Sequence, residues 1–173
     1  NIFIIDTLTA AAGIRLLCEV AINWIGENRS VESIVSGLEE LKERVHIYAG
    51  LDTLEYLAKG GRISKTAAAI GTLASIKPII CVNHGEVVVA GKTRGVNKAT
   101  SVVCEKMQSD IVDTLYPVYT LYSYGLENVE KLESKLDLDV NRARIGSTIG
   151  VHIGPNAFGV CFVSKLLVIT HEK

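Results

Sequence analysis

The sequence predicts an α/β protein in which the tail of a parallel α/β/α domain is followed by a two-layer α/β domain with a mixed sheet. Three observations lead to this prediction. A short continuous apolar run, "IFII" at residues 2–5, is typical of a parallel strand that is covered on both faces. Two amphipathic segments with helical spacing follow, at residues 9–25 and 30–42. Beyond them, apolar runs separated by turn residues predict a hairpin and further strands.

The first part of the chain is expected to contain two helices. Gly26 ends the first helix, and Ser30 is a suitable N-cap for the second. The first helix is expected to bury the stripe Ile14, Leu17, Cys18, Ala21, Ile22 and Ile25. The second is expected to bury Val31, Ile34, Val35, Leu38 and Leu41. We place the domain boundary after Arg44, so that residues 1–44 are the remainder of the first domain and residues 45–173 form the second.

The second part is expected to begin with the strand "VHIYAGL". "SIKPIICV" and "NHGEVVVAG" then predict a hairpin around Asn83, His84 and Gly85. A long amphipathic helix is expected over residues 95–115, followed by a strand in "PVYTLYSYG". "LENVEKLESKLD" reads as a charged helix, in which Glu127 and Lys131 have favourable i, i+4 spacing. "RARIGS" and "AFGVCFVSK" supply the last strands.

Composition excludes several classes of function. The chain is 48% apolar and 21% charged with a net charge of −1, and it has three Phe and one Trp, which argues against nucleic-acid binding. The four cysteines show no CxxC spacing, as expected for reduced, buried thiols in a cytoplasmic protein, and no metal or cofactor is expected. No apolar run has the length of a membrane span. The opening "NIFIID", without a lead-in, predicts a piece of a longer protein.

Five segments, taken in order, resemble the bacterial DegV family. They are "IIDT" at residues 4–7, "TLEYLAKGGRIS" at 53–64, "SIKPII" at 75–80, "GKTRGVNKA" at 91–99 and "IGVHIGPNAFGV" at 149–160. Together they cover most of the chain. Two positions depart from the family pattern: Asn156 replaces a glycine but tolerates left-handed backbone, and Thr7 replaces a serine but keeps the hydroxyl.

The resemblance implies a fold and a function. DegV proteins bind a long-chain fatty acid in a cleft between two domains, and in several bacteria they are the B subunit of fatty acid kinase. They present the acid to a separate, ATP-dependent kinase subunit. The same role is expected here, with no catalytic residue in this chain, a cytoplasmic location and transient membrane contact. The family's Thr/Ser motifs for the carboxylate belong to the first domain and have no match here, so half of the site is expected to be absent.

Three residues are candidate ligand-binding groups, each with an ordinary alternative. Arg62 follows two glycines at a predicted helix end. The alternative to ligand binding is that the glycines end the helix and Arg62 is a solvated arginine. Arg94 precedes a helix, and the resemblance implies that it lies near the carboxylate. Without that resemblance, Arg94 would be interpreted as a surface charge. His152 is expected in a glycine-rich loop, where a lone histidine is commonly structural; the resemblance implies that it donates to the carboxylate. His46, His84 and His171 match no motif and are interpreted as structural or surface residues.

Two other functions compete with fatty-acid binding. DegV proteins share their fold with the substrate domains of dihydroxyacetone kinases, in which a histidine holds the substrate covalently, so His152 would then be catalytic. Alternatively, the chain is a structural piece with no activity of its own. The strands that would flank residues 2–25 are expected to belong to the missing part of the first domain. We therefore also expect an uncovered apolar surface and self-association.

Overall fold

The centre of the molecule is a six-stranded mixed sheet. The computed structural model describes residues 2–64 and 75–165. The strand order is β3-β2-β1-β6-β4-β5, and neighbours are antiparallel except for β4 and β5. The strands are β1 Val45–Gly50, β2 Ile76–Asn83, β3 Glu86–Arg94, β4 Tyr119–Tyr122, β5 Asn141–Arg144 and β6 Phe158–Val163. The predicted α/β class with a mixed sheet is confirmed.

Helices cover both faces of this sheet. Among the described residues they are α1 Ala12–Gly26, α2 Val31–Leu41, α3 Glu55–Lys59, α4 Val96–Ser109, α5 Glu127–Glu133 and α6 Ser147–Ile153. Helices α1, α2, α3 and α6 share one apolar cluster with the sheet, and α4 and α5 share the other. Strand β6 contributes to both, because Phe158, Val160 and Phe162 alternate with Cys161 and Val163 along it.

The predicted hairpin is confirmed as β2 and β3. Asn83 pairs with Glu86 across a two-residue turn in which His84 has φ 46° and Gly85 has φ 82°. Positive φ at both central residues is typical of a type I′ turn, whose twist matches that of the strands. The turn also holds the N-terminal segment, since the Gly85 amide donates to the Leu8 carbonyl at 2.9 Å.

The strand predicted at residues 2–5 is wrong for the part of the chain that the structure describes. These residues belong to no strand, and Ile2 and Ile4 are 92% and 91% exposed. A strand needs a neighbour for its backbone hydrogen bonds, and neither described edge strand, β3 or β5, pairs with this segment. An apolar run alone therefore indicated burial that these residues do not achieve.

The buried face predicted for the first helix is also wrong, apart from Leu17 and the partly buried Ala21. Helix α1 begins at Ala12 and turns a different stripe to the core: Ala12, Gly13, Leu16, Leu17 and Val20. Ile14, Ile22 and Ile25, which were expected inside, are 43%, 65% and 62% exposed. The helix is apolar on two sides, so periodicity could not decide which side meets the sheet.

Other elements follow the sequence more closely. Ser30 caps α2 by accepting from the Ser33 amide at 3.2 Å, and Glu127 pairs with Lys131 at 2.6 Å, both as predicted. In α2, Ile34, Leu38 and Leu41 are buried, whereas Val31 is 52% exposed. Helix α4 ends at Ser109, short of the predicted length. The boundary after Arg44 remains a prediction. The apolar run at residues 67–73, which has a helix-like pattern in the sequence, lies outside the described residues.

The four cysteines are free thiols, but they are not uniformly buried. Cys104 and Cys161 are buried, Cys81 is half-buried, and Cys18 is exposed on α1. Burial raises the pKa of the Cys161 thiol to about 12, so this thiol is protonated and unreactive at neutral pH. The expectation of buried thiols thus fails at Cys18, which lies on the uncovered side of α1.

The uncovered side of α1 is expected to cause self-association. Ile22 and Ile25 lie on this side of the helix and are 65% and 62% exposed. Apolar surface of this kind favours a second apolar surface over water. We expect light scattering at micromolar concentration to show a dimer or larger species, and Ile22→Lys/Ile25→Lys to reduce it without lowering the melting temperature. A monomeric wild-type protein would contradict this expectation.

No described helix has the length and apolar character needed to cross a bilayer.

Candidate functional site

A mostly apolar cavity of about 250 Å³ lies on the α1 side of the sheet. Its floor consists of β-strand side chains, its side is α6, and residues 9–11 border it before α1 begins. The apolar lining includes Ile47, Ala49, Leu57, Ile80, Val82, Val87, Leu121, Ile145, Ile149 and Ile153. Four polar side chains join this lining, those of Thr9, Arg62, Thr148 and His152.

Helix α6 positions His152. The segment was expected to be a loop, but residues 147–153 are helical, which corrects that prediction. Gly154 ends the helix with φ 76°, a conformation that favours glycine, and its amide donates to Gly150 at 2.9 Å. Ile149, His152 and Ile153 have i, i+3, i+4 spacing, so they lie on one side of the helix and all line the cavity.

The first glycine of the "GGRIS" motif makes room for the imidazole of His152. Gly60 is the C-cap of α3, and a Cβ built on it would lie 2.1 Å from His152 Nδ1. No side chain fits in that space, because real contacts of this kind are far longer. The chain therefore needs a glycine at this helix end to bring α3 against α6.

Arg62 follows directly and lines the same cavity. Its amide donates to the Leu57 carbonyl at 2.8 Å, and its Nη1 donates to the Gly60 carbonyl at 2.6 Å. The side chain is exposed at the cavity border. The structure thus brings two of the three candidates, Arg62 and His152, to one cavity.

Arg94 lies elsewhere. It is exposed at the end of β3, paired in register with Ile76, and it does not belong to the cavity lining. Val87 does line the cavity, and seven residues of extended strand separate it from Arg94, a span of roughly 23 Å. A role for Arg94 at the ligand therefore stays a prediction from the resemblance.

Two residues of the cavity lining, His152 and Thr9, each have a buried polar atom without a hydrogen-bond partner among the described residues. His152 Nδ1 lies against Gly60, and Thr9 Oγ1 lies against Gly13. Sequence reasoning pointed to His152 but missed Thr9, because Thr9 was counted into the helical pattern of the following residues. Its loop position became apparent only once α1 was seen to begin at Ala12.

The loop after α6 is held by a polar network. Asn156 has φ 59°, in agreement with the expected left-handed backbone at this family position. Its Nδ2 donates to Asp52 Oδ2 at 2.8 Å, and Asp52 also pairs with Lys77 at 2.7 Å. Burial raises the pKa of Asp52, but the hydrogen bonds from Lys77 and Asn156 outweigh it and lower the pKa overall. These contacts fix the loop that follows His152.

His46 and His84 do not belong to the cavity lining. His46 Nε2 is 2.9 Å from Ser164 Oγ, and its Nδ1 is 3.8 Å from Asp110 Oδ2. The second distance is too long for a hydrogen bond, so these three side chains are not aligned as a Ser-His-Asp triad. Burial lowers the pKa of His46, although Asp110 opposes this shift. His84 is exposed, and His171 lies outside the described residues. Within residues 2–64 and 75–165, no group of side chains has the makeup of a metal site.

Comparison with known proteins identifies the family. A family model described as an uncharacterised protein of the DegV family matches residues 1–165. The chain belongs to the DegV family. A DegV domain-containing protein of Clostridium perfringens is 34% identical over 170 residues, which cover 94% of this chain and 58% of the relative. The chain thus spans about three fifths of this DegV relative.

Solved structures of DegV proteins share the fold. A DegV family protein from Thermus thermophilus, described by its fatty acid binding, is 28% identical with a TM-score of 0.82, over 94% of this chain and 61% of that one. A protein from Eubacterium ventriosum that is described as binding stearic acid is 26% identical with a TM-score of 0.75, over 95% and 60%.

Proposed function

We propose that this chain binds a long-chain fatty acid, with the acyl chain in the cavity and the carboxylate at His152 and Arg62. The carrying observation is that His152 and Arg62, a permanent cation, both line one apolar cavity. An anion taken out of water must be paired, and both groups supply donors for it.

The apolar lining provides most of the binding free energy in this proposal. Each buried methylene contributes about 0.8 kcal/mol. A cavity of about 150 Å³ is known to hold benzene, so 250 Å³ accommodates about ten carbon atoms. The described residues would then hold the carboxyl end of a long chain and its first methylenes, and the remainder would extend past them.

Two relatives support the choice of ligand. The Thermus thermophilus and Eubacterium ventriosum proteins are described as fatty-acid binding, and both exceed 25% identity with this chain. Because the match covers about 60% of each, the activity of the whole protein is part of the proposal and goes beyond the likeness.

We also propose that a separate, ATP-dependent kinase subunit phosphorylates the bound acid. The support is the sequence resemblance, together with the polar groups of the cavity. These are two threonines, an arginine and a histidine, and the described lining includes no carboxylate. Such a set suits the binding of an anion. The dihydroxyacetone kinase alternative would need His152 to hold the substrate covalently, and the described lining offers no carboxylate to activate it as a nucleophile.

The proposal predicts that fatty acid accompanies the purified protein. Denaturing extraction followed by lipid mass spectrometry is expected to recover fatty acid well above the amount from an unrelated protein prepared in the same way. The delipidated protein is also expected to bind added hexadecanoic acid. Absence of both the recovered and the added acid would refute the proposed function.

A further inference from the structure

Helix α6, which carries His152, is too short to be stable by itself. It has seven residues, and isolated helices shorter than about 12 residues are marginal in water. Its N-cap residue is Gly146, which has no side chain to accept from the amides of the first turn. The position of α6, and with it that of His152, therefore depends on contacts with the rest of the fold.

Two adjacent residues where β4 ends, Tyr122 and Ser123, hold both ends of α6. Before the helix, the Ile145 amide donates to the Tyr122 carbonyl at 2.8 Å. After the helix, Ser123 Oγ donates to the Gly154 carbonyl at 2.7 Å. Ser123 Oγ also accepts from the Ala157 amide at 3.0 Å, and the Ser123 amide donates to the Ala157 carbonyl at 3.0 Å. One small side chain thus joins the loop after α6 to the sheet.

The hydrogen bonds of Ser123 are shielded from water. The residue is only 5% exposed, and its bonds to Gly154 and Ala157 are both buried. Water cannot replace a buried bond of this kind, so removal of the hydroxyl would leave a carbonyl and an amide without a partner. Ser123 is therefore a strong tether for the end of α6.

Helix α3 packs against the same end of α6. A Cβ built on Gly154 would lie 2.4 Å from Tyr56 Cδ2, so the Tyr56 ring lies directly on the Gly154 backbone. Four residues after Tyr56, Gly60 lies against the imidazole of His152. The fit between α3 and the imidazole therefore depends on where Gly154 is held, two residues beyond His152.

We propose that Ser123 is a positioning residue: by fixing Gly154, it holds α6 and the His152 imidazole in place at the cavity. Ser123 does not belong to the cavity lining, so it acts through the helix and not on the ligand. This inference rests on the proposed function where it concerns binding, whereas the position of the imidazole can be measured without a ligand.

The first test follows the ring signals of His152 by NMR in the ligand-free protein. Ser123→Ala removes the hydroxyl and is expected to shift these signals. Thr120→Val is the matched control, because it removes another buried hydroxyl of β4, one that donates to Glu133 Oε1 at 2.6 Å on the α5 side. Both variants are expected to lower the melting temperature, since each loses a buried hydrogen bond, but Thr120→Val is expected to leave the His152 signals unchanged. Unshifted signals in Ser123→Ala, or equal shifts in both variants, would overturn the inference.

The second test measures affinity for hexadecanoic acid in delipidated protein. Ser123→Ala is expected to weaken binding about 3- to 10-fold, less than the loss of the imidazole itself, and Thr120→Val is expected to leave it unchanged. Because Ser123 acts through His152, Ser123→Ala is expected to cost nothing further in the His152→Ala background. Ser123→Cys, which keeps a weak donor, replaces Ser123→Ala in both tests if that variant does not fold.

The two tests separate this inference from the proposed function. Wild-type affinity in Ser123→Ala, or an equal loss in both backgrounds, would overturn the positioning role and leave the proposed function standing. Failure of the wild-type protein to bind the acid would overturn the proposed function, and the NMR comparison would still decide whether Ser123 positions His152.

Discussion

His152→Ala is expected to weaken fatty-acid binding about 10- to 150-fold, the effect of losing a charge-assisted hydrogen bond of about 1.5–3 kcal/mol. The imidazole lines the apolar cavity, so its loss removes a donor from the anion that is proposed to bind there. Titration with hexadecanoic acid measures the effect. The methyl ester is expected to bind wild type more weakly and to lose little further affinity in the variant, because it carries no charge.

Two arginine variants then locate the carboxylate. Arg62 lines the cavity and Arg94 does not, so the geometry predicts a larger loss for Arg62→Ala. The family resemblance predicts the reverse order, with a loss for Arg94→Ala as large as that for His152→Ala. Unchanged binding in both His152→Ala and Arg62→Ala, with a loss in Arg94→Ala, would place the carboxylate at the far end of β3 and refute the cavity assignment.

Asp113→Ala is expected to destabilise the fold by about 3–5 kcal/mol, the usual cost of leaving one charge of a buried pair uncompensated. The side chains of Arg44 and Asp113 are only 15% and 11% exposed where they meet. Arg44 Nε also donates to the Ser164 carbonyl at 2.7 Å, and Asp113 Oδ1 accepts from the Leu115 amide at 3.2 Å. The pair therefore joins the start of β1 to the segment before β4. Urea unfolding measures the loss.

An exposed ion pair is the control for this result. Glu127 pairs with Lys131 at 2.6 Å, but its side chain is 82% exposed, so Glu127→Ala is expected to cost far less than Asp113→Ala. Arg44→Met/Asp113→Leu is expected to recover much of the stability, since apolar replacement of a buried pair is often neutral. Similar losses in Asp113→Ala and Glu127→Ala would contradict the expected cost of the buried charge.

Local sequence signals predicted the hairpin and the strands beyond residue 44 well, but not the state of residues 2–5. The β2–β3 turn depends on two adjacent residues, and the cap of α2 depends on Ser30 and its neighbours, so both can be read over a few positions. The buried face of α1 could not be predicted in this way. Its two apolar sides differ only in which one meets the sheet, and that choice is made by contacts with residues far along the chain.

The candidate site, like the fold, could be predicted only where a feature depends on neighbouring residues. The motif around Gly60 and the histidine at position 152 could be recognised separately, but their contact depends on how α3 and α6 pack. Thr9 gave no signal as a lining residue, because its loop position depends on where α1 begins, which periodicity does not report. The position of Arg94 could not be fixed either, since spacing along a hairpin does not tell which end lies near the site.

The central position of β6 has a consequence for how this protein is made on the ribosome. β6 lies between β1 and β4, and His46 contacts Ser164 at a separation of 118 positions. During synthesis, β1 therefore emerges long before the strand that completes one of its two edges. Pairing so distant in sequence carries a large loop-closure entropy and is slow to form. Until β6 has been synthesised, the exposed edge of β1 must be kept from pairing with other chains. A chaperone would help the nascent chain most during this interval.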